Sequence, residues 1–177
     1  MNKIKMIVAY CKNRGIGKNN LIPWYIPEDF KYFKKMTSNT KNSGIIMGRN
    51  TWESLPRKPL INRENIILSS TLTYTEVKKY DNITIFSKKS DLDEYLTKKK
   101  EPIWIIGGET IYNQYINDER LDEILVTYIH KDYDCDSFFP ILPSYFKPIY
   151  LSEHKKHNEI TYHNIIFKNI DNIYNDD

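Results

Sequence analysis

What this chain lacks narrows its class before any motif is read. Its only cysteines, Cys11 and Cys135, lie far apart and outside any metal-ligand spacing. That sets aside a disulfide-stapled secreted fold and a cysteine metal site, and leaves two free or buried thiols in a reducing compartment. No long apolar run is present: "MIVAYC" is shorter than a signal-peptide core and leads straight into "KNRGIGKNN", and no segment reaches membrane-spanning length. The cytoplasm is the expected location, with no membrane partner. There is no strong charge excess either. A net charge of +3 over 177 residues is too small to argue for nucleic acid and suits a small anionic ligand equally well. Repeats and linkers are absent, so one domain over residues 1–170 is expected, with a polar tail at 171–177. His130, His154, His157 and His163 show no ligand spacing, and no metal is expected.

What is present is a rhythm of short apolar runs separated by amphipathic or charged stretches. "MIVAY", "GIIMG", "NIILSS", "ITIFS", "PIWIIGG" and "EILVTYI" read as strands, and "PEDFKYFKKM", "TWESL", "DLDEYLTKKK" and "ETIYNQYI" as helices. Runs without polar alternation are those of strands covered on both faces, so the fold class is α/β, with a mixed, mostly parallel, twisted sheet and helices on both faces. "PIYLSEHKKH" and "EITYHNIIFKNI" alternate more and have no helix between them; they read as an antiparallel C-terminal hairpin closing the sheet. Ser90 is placed as the N-cap of a solvated helix whose early acids and late lysines complement its dipole.

In "IPEDFKYFKK", Pro27 suits a first helical position and puts Glu28 and Asp29 in the first turn. Helical spacing separates the two acids: from Asp29 it reaches Tyr32, Phe33 and Met36, and from Glu28 it reaches Lys31, Tyr32 and Lys35. Asp29 therefore lies on the apolar face, where a carboxylate either pairs within the fold or serves a ligand. Glu28 reads as helix-end surface charge.

Two further segments share one pattern, a buried strand running through glycine into a helix. In "SGIIMGRNTWESL", Asn50 and Glu53 have capping-box spacing and Arg49 stands beside the helix start, an arrangement suited to phosphate. In "IWIIGGETIY", Gly107 and Gly108 precede a helix near Glu109 and would let a pyrophosphate approach the backbone. The full dinucleotide fingerprint GxGxxG is missing, but two such ends in one small sheet point to ligand binding at the carboxyl ends of its strands.

Over nearly the whole chain the ordered motifs resemble the dihydrofolate reductase family. "GIGKNNLIPW" resembles its mobile active-site loop, "PEDFKYFK" its substrate helix, "IMGRNTWESLP" and "NIILSS" its cofactor segments, and "IIGGETIY" its glycine pair; "DSFFP" also fits. The resemblance implies NADPH-dependent reduction of dihydrofolate to tetrahydrofolate by a monomer that binds antifolate-type molecules. Asp29 matches the pterin-binding acid and Thr127 the threonine that supports it. Ile22 matches the position where water is admitted, and Trp24 the loop anchor that helps order it. Ile7, Val8, Phe33, Leu55, Leu60 and Ile106 match pocket walls, and Arg63 matches the arginine that grips the α-carboxylate of the substrate's glutamate tail. Asn62 replaces a common glycine in that loop. For the cofactor, the matching positions are Val8, Ala9, Ile16, Gly17, Asn20 and Leu21 near the loop. On the phosphate side they are Gly48, Arg49, Asn50, Thr51, Leu68, Ser69 and Ser70. From the glycine pair onward they are Ile106, Gly107, Gly108, Glu109, Thr110, Ile111 and Tyr112. Gly15 and Gly17 would act as loop hinges, and the family's cis peptide is expected between Gly107 and Gly108. A reductase of another pterin or pyrimidine, and a non-catalytic folate or nucleotide binder, are the alternatives.

Overall fold

The computed structural model describes residues 3–172. In chain order its elements are β1 (Ile4–Cys11), β2 (Gly15–Gly17), α1 (Pro27–Thr37), β3 (Ser43–Gly48), α2 (Arg49–Ser54), β4 (Arg63–Leu68), α3 (Tyr74–Val77) and β5 (Ile83–Phe86). They continue as α4 (Lys89–Thr97), β6 (Ile103–Gly107), α5 (Glu109–Tyr115), β7 (Leu121–Ile129), β8 (Ser137–Phe138), β9 (Phe146–Leu151), β10 (Lys155–His157) and β11 (Ile160–Asn169). The main sheet runs β10-β11-β7-β1-β6-β3-β4-β5, with β9 also paired to β11. Pairing is parallel from β7 through β5 and antiparallel where β11 meets β7, β9 and β10. The mixed, mostly parallel α/β sheet with an antiparallel C-terminal hairpin read from the sequence is thus the observed one.

The strands without alternation are the central ones. Ile45, Ile46 and Met47 of β3 and Ile66 and Ile67 of β4 are fully enclosed, because crossover connections lay helices on both faces. One face packs Ile7, Ile45, Met47 and Leu125 under α1, α2 and α3 through Phe33, Trp52 and Val77. The other packs Met6, Val8, Ile46 and Val126 under α4 and α5 through Leu92, Ile111 and Tyr115.

Two local expectations fail. Helix α4 opens two residues earlier, with Lys88 at the N-cap, and the Ser90 hydroxyl turns to Asp91. Helix α2 opens directly after Gly48 without the Asn50/Glu53 capping box, because Arg49 Nε takes the Glu53 carboxylate at 2.6 Å. The capping box instead opens α3, a helix the sequence reading did not separate, where Thr73 N–H donates to Glu76 at 2.8 Å. Of the polar tail read at 171–177, residues 173–177 lie outside the described residues.

Candidate functional site

Helix α1 starts at Pro27, whose missing N–H belongs among the unpaired donors of a first turn. The turn aims Asp29 at the neighbouring sheet. Thr127 Oγ1, on β7, donates to Asp29 Oδ1 at 2.5 Å, and Asn164 Nδ2, opposite it on β11, donates to Thr127 Oγ1 at 2.9 Å. Lys155 Nζ donates in turn to Asn164 Oδ1 at 2.8 Å. A relay of donors therefore converges on one carboxylate oxygen, while Oδ2 has no hydrogen bond among the described residues. Burial pushes the Asp29 pKa above the ordinary carboxylate range; the Thr127 hydrogen bond and the Lys155 charge oppose it without cancelling it. Sequence reasoning missed Asn164 and Lys155. Their positions follow only from strand pairing, Asn164 from β7–β11 and Lys155 from β10–β11, and an asparagine in a C-terminal strand gives no local signal. Glu28 is not bare surface charge: His157 Nδ1 lies 3.2 Å from its carboxylate, tying α1 to β10.

Ile7, Phe33, Leu55, Leu60 and Ile106 all belong to the apolar cluster on the α1 face. Val8 does not: its side chain packs into the opposite cluster, as strand alternation requires. Arg63 is enclosed, with 3% of its surface exposed. It donates to Thr37 Oγ1 at 2.8 Å and to the Ile61 carbonyl at 3.1 Å, with its guanidinium 5.9 Å from the Phe33 ring centre. Among the described residues no carboxylate pairs with it, and burial lowers its pKa. A sequestered guanidinium without an acid is suited to an external carboxylate. Asn62 adopts φ 61°, in the left-handed region that asparagine tolerates, so it can stand where a glycine is common.

The carboxyl ends of β3, β4 and β6 lie side by side, with Met47 opposite Gly107 and Gly48 opposite Leu68. The Gly107–Gly108 peptide is cis, as the resemblance implies. Gly107 has φ +111°, and a side chain there would meet the Tyr112 ring at 3.0 Å, so only glycine fits. A Cβ at Gly108 would sit 3.4 Å from Thr51 Oγ1. Tyr112 is fixed by its hydroxyl donating to the Ile7 carbonyl at 2.8 Å. Beside this seam a cavity of about 250 Å³ joins Leu68, Ser69 and Ser70 to Thr110 and Ile111. Ser87, Lys89 and Gln114 complete its lining and were not foreseen, since three separate elements bring them in. Bare backbone at paired glycines next to a hydroxyl-rich cavity fits a dinucleotide. Asn50 and Glu109 take the first turns of α2 and α5 beside it. Arg49 faces the hydroxyl cluster, donating to the Thr71 carbonyl at 2.9 Å, but Glu53 and Glu76 hold its other nitrogens at 2.6 and 3.2 Å. A second cavity, of about 310 Å³ around Glu64 and Lys99, lies at the opposite, amino ends of β4 and β5.

The segment after β1 forms its own two-stranded sheet, β2 on β8. Asp136 accepts from Asn19 N–H at 2.9 Å and Lys18 pairs with Asp134 at 3.1 Å. The turns are made by Arg14, Asn19 and Asn20, all at positive φ. Gly15 is required because a Cβ there would collide with the Cys135 side chain, with Cβ–Cβ 2.7 Å apart. Leu21 and Ile22 stand exposed. Ile16 packs beside the α5-face cluster, while Ala9 joins Trp24, which is buried 5.3 Å from the Tyr133 ring.

The absence of a ligand constellation among the histidines does not hold. His130, His154 and His163 converge, with one ligand atom from each within 4.8 Å of the others. They are remote in sequence and adjacent only through strand pairing, which is why spacing gave no hint.

This geometry is that of an α/β protein with glycine turns and a hydroxyl-lined cavity at the carboxyl ends of its parallel strands, where open α/β sheets bind their ligands. The dihydrofolate reductase family model matches residues 3–170, and the chain belongs to that family. It is 35% identical over 146 residues to a dihydrofolate reductase of Heliothis virescens, covering 78% of this chain and 79% of that protein. Identity reaches 39% over 139 residues with a dihydrofolate reductase of Ureaplasma parvum, covering 78% and 82%. A bifunctional dihydrofolate reductase-thymidylate synthase of Daucus carota is 34% identical over 170 residues, which is 89% of this chain but 32% of that protein. The chain spans about a third of such bifunctional relatives. As a member of this family the chain is an oxidoreductase that uses a nicotinamide cofactor.

Proposed function

We propose that this chain, within residues 1–170, reduces 7,8-dihydrofolate to 5,6,7,8-tetrahydrofolate using NADPH, supporting one-carbon metabolism and thymidylate synthesis. The observation that carries the reading is Asp29, whose Oδ1 is claimed by Thr127 while Oδ2 is left for a ligand. A carboxylate in that setting accepts paired donors from the amino group and adjacent N–H of a pterin edge and favours protonation of the ring. Thr127 and Asn164 fix its orientation. Ile7, Phe33, Leu55, Leu60 and Ile106 wall off the reacting carbon from water, and the exposed Ile22 marks where a proton-carrying water enters. Arg63 offers its fork to the α-carboxylate of the glutamate tail. Gly107, Gly108 and the first turn of α5 would hold the pyrophosphate, with Gly48, Asn50 and Thr51 across from them. Ser69 and Ser70 flank the adenosine end, and Arg49 takes the ribose phosphate by exchanging its acids for it. When bound, NADPH supplies the hydride; the protein supplies position and field.

No described helix is long and apolar enough to cross a membrane. Both cysteines are free thiols, which favours a reducing compartment; we place the enzyme in the cytoplasm, acting as a monomer. The test is steady-state turnover of dihydrofolate by the purified chain with NADPH and with NADH. Turnover that prefers NADPH supports the reading; cofactor and folate binding without turnover would leave a binder in its place.

A further inference from the structure

We propose that His130, His154 and His163 form a binding site for one borderline divalent transition-metal ion such as Zn²⁺, separate from the reductase cleft. The three rings meet beside the paired ends of β7, β10 and β11: His163 lies within β11, His130 directly follows β7 and His154 directly precedes β10. His163 lies opposite Tyr128 on β7, and His130, the residue just past the end of β7, continues the pairing by donating its N–H to the Thr161 carbonyl at 2.9 Å, which makes it the diagonal neighbour of His163. The pairing of Lys155 with Tyr162 brings the preceding residue, His154, alongside His163 from the other edge. The rings are mutually close, with centroid separations of 4.6, 4.8 and 5.0 Å. His130 Nε2 and His163 Nδ1 are 2.7 Å apart, and one ligand nitrogen from each ring falls within 4.8 Å of the others. Three imidazoles around a zinc ion at ~2.0 Å stand about 3.3 Å from one another, so the rings need only small rotations to close on it.

Strand alternation places the site away from the catalytic machinery. Thr127, which holds Asp29, points to the opposite face from Tyr128 and its histidine neighbours. His163 is buried, His130 half-buried and His154 exposed, which gives two anchored ligands and one mobile one at a solvent opening. The fourth position is thereby left to water. Burial, together with the proximity of the other rings and of Lys12, holds His130 below the ordinary histidine range. His163 is held down likewise by burial and its two neighbours. Lys12 is the one opposing charge felt by His130. An all-nitrogen donor set selects zinc, cobalt, nickel or copper over magnesium and calcium, which need oxygen ligands.

The experiment is calorimetric titration of the full chain with Zn²⁺, paired with the visible spectrum of the Co²⁺ form. Expected are one bound ion, at least ~10-fold weaker binding in His154→Ala, and unchanged binding in His157→Ala and Cys135→Ser. Co²⁺ should give ligand-field bands without thiolate charge transfer. His154 is exposed, so its replacement is expected to leave the metal-free melting temperature unaltered. Undiminished affinity in His154→Ala, loss of binding in Cys135→Ser, or no stoichiometric uptake by the parent chain would each overturn the site. Dihydrofolate turnover is read separately and bears on neither outcome.

Discussion

Asp29 concentrates the molecule's conflict between stability and use. Its pKa is raised, so above that value the folded state bears an ionised carboxylate it would hold more comfortably as the acid. Replacement by asparagine keeps an acceptor for Thr127 and removes the charge. Asp29→Asn is expected to melt higher than the parent at neutral pH, with the gain shrinking as pH falls through the raised folded-state pKa toward the ordinary carboxylate range and gone below it, where both folded and unfolded states are protonated. Thermal unfolding across pH checks this. Lys155 acts on the same group from a distance by lowering its pKa. Lys155→Met should therefore shift the acidic limb of the pH–rate profile to higher pH; an unmoved limb would remove Lys155 from the relay. Arg63→Leu should raise the KM for dihydrofolate about 10- to 100-fold with little change in kcat, as loss of a charge-assisted pair acting equally in ground and transition states would. Of these residues, Asp29 could be singled out from helical spacing alone, because a carboxylate on an apolar face violates the pattern around it. Asn164 could not, since nothing local distinguishes it from any other strand asparagine.

At the scale of elements, legibility followed the range of the interactions. The strands β3, β4 and β6 and the helix α1 announce themselves through local periodicity, and each forms where expected. The capping of α2 was misread because Asn50 and Glu53 have the right spacing, while the decisive partner of Glu53 is Arg49 one turn earlier. Likewise Gly15 is imposed by the approach of Cys135 on the segment before β8, a contact invisible in a linear reading. Gly15→Ala is accordingly expected to cost about 1–3 kcal/mol through overpacking. Gly17→Ala, whose added carbon would find the Leu21 carbonyl at 3.3 Å, should cost less. Urea unfolding of the two variants side by side decides the order.

For the whole molecule, one half-buried ionic network links the α4 side to the approach of β7. Arg120 bonds Asp118 at 2.6 Å and Asp93 at 2.7 Å, and Lys89 bonds Asp93 at 2.6 Å. Burial would raise both acids, yet the Arg120 and Lys89 contacts outweigh it and hold them below the usual carboxylate range. Their contribution is present above the unfolded-state pKa and is lost as pH falls through the folded one. Arg120→Gln leaves half-buried acids without their main partner and is expected to cost about 1–2 kcal/mol at neutral pH once solvent screening is allowed for, with less of the parent's acid sensitivity remaining. These terms stabilise the frame that brings α1 to β7, and the chemistry rests on that meeting. The most direct test is the initial rate of dihydrofolate-dependent NADPH oxidation by parent and Asp29→Asn from acid to neutral pH. The account predicts a loss of about 10²- to 10⁴-fold at neutral pH, narrowing toward acid as solution supplies the ring proton that Asp29 otherwise favours. Equal rates for the two proteins at neutral pH would contradict it.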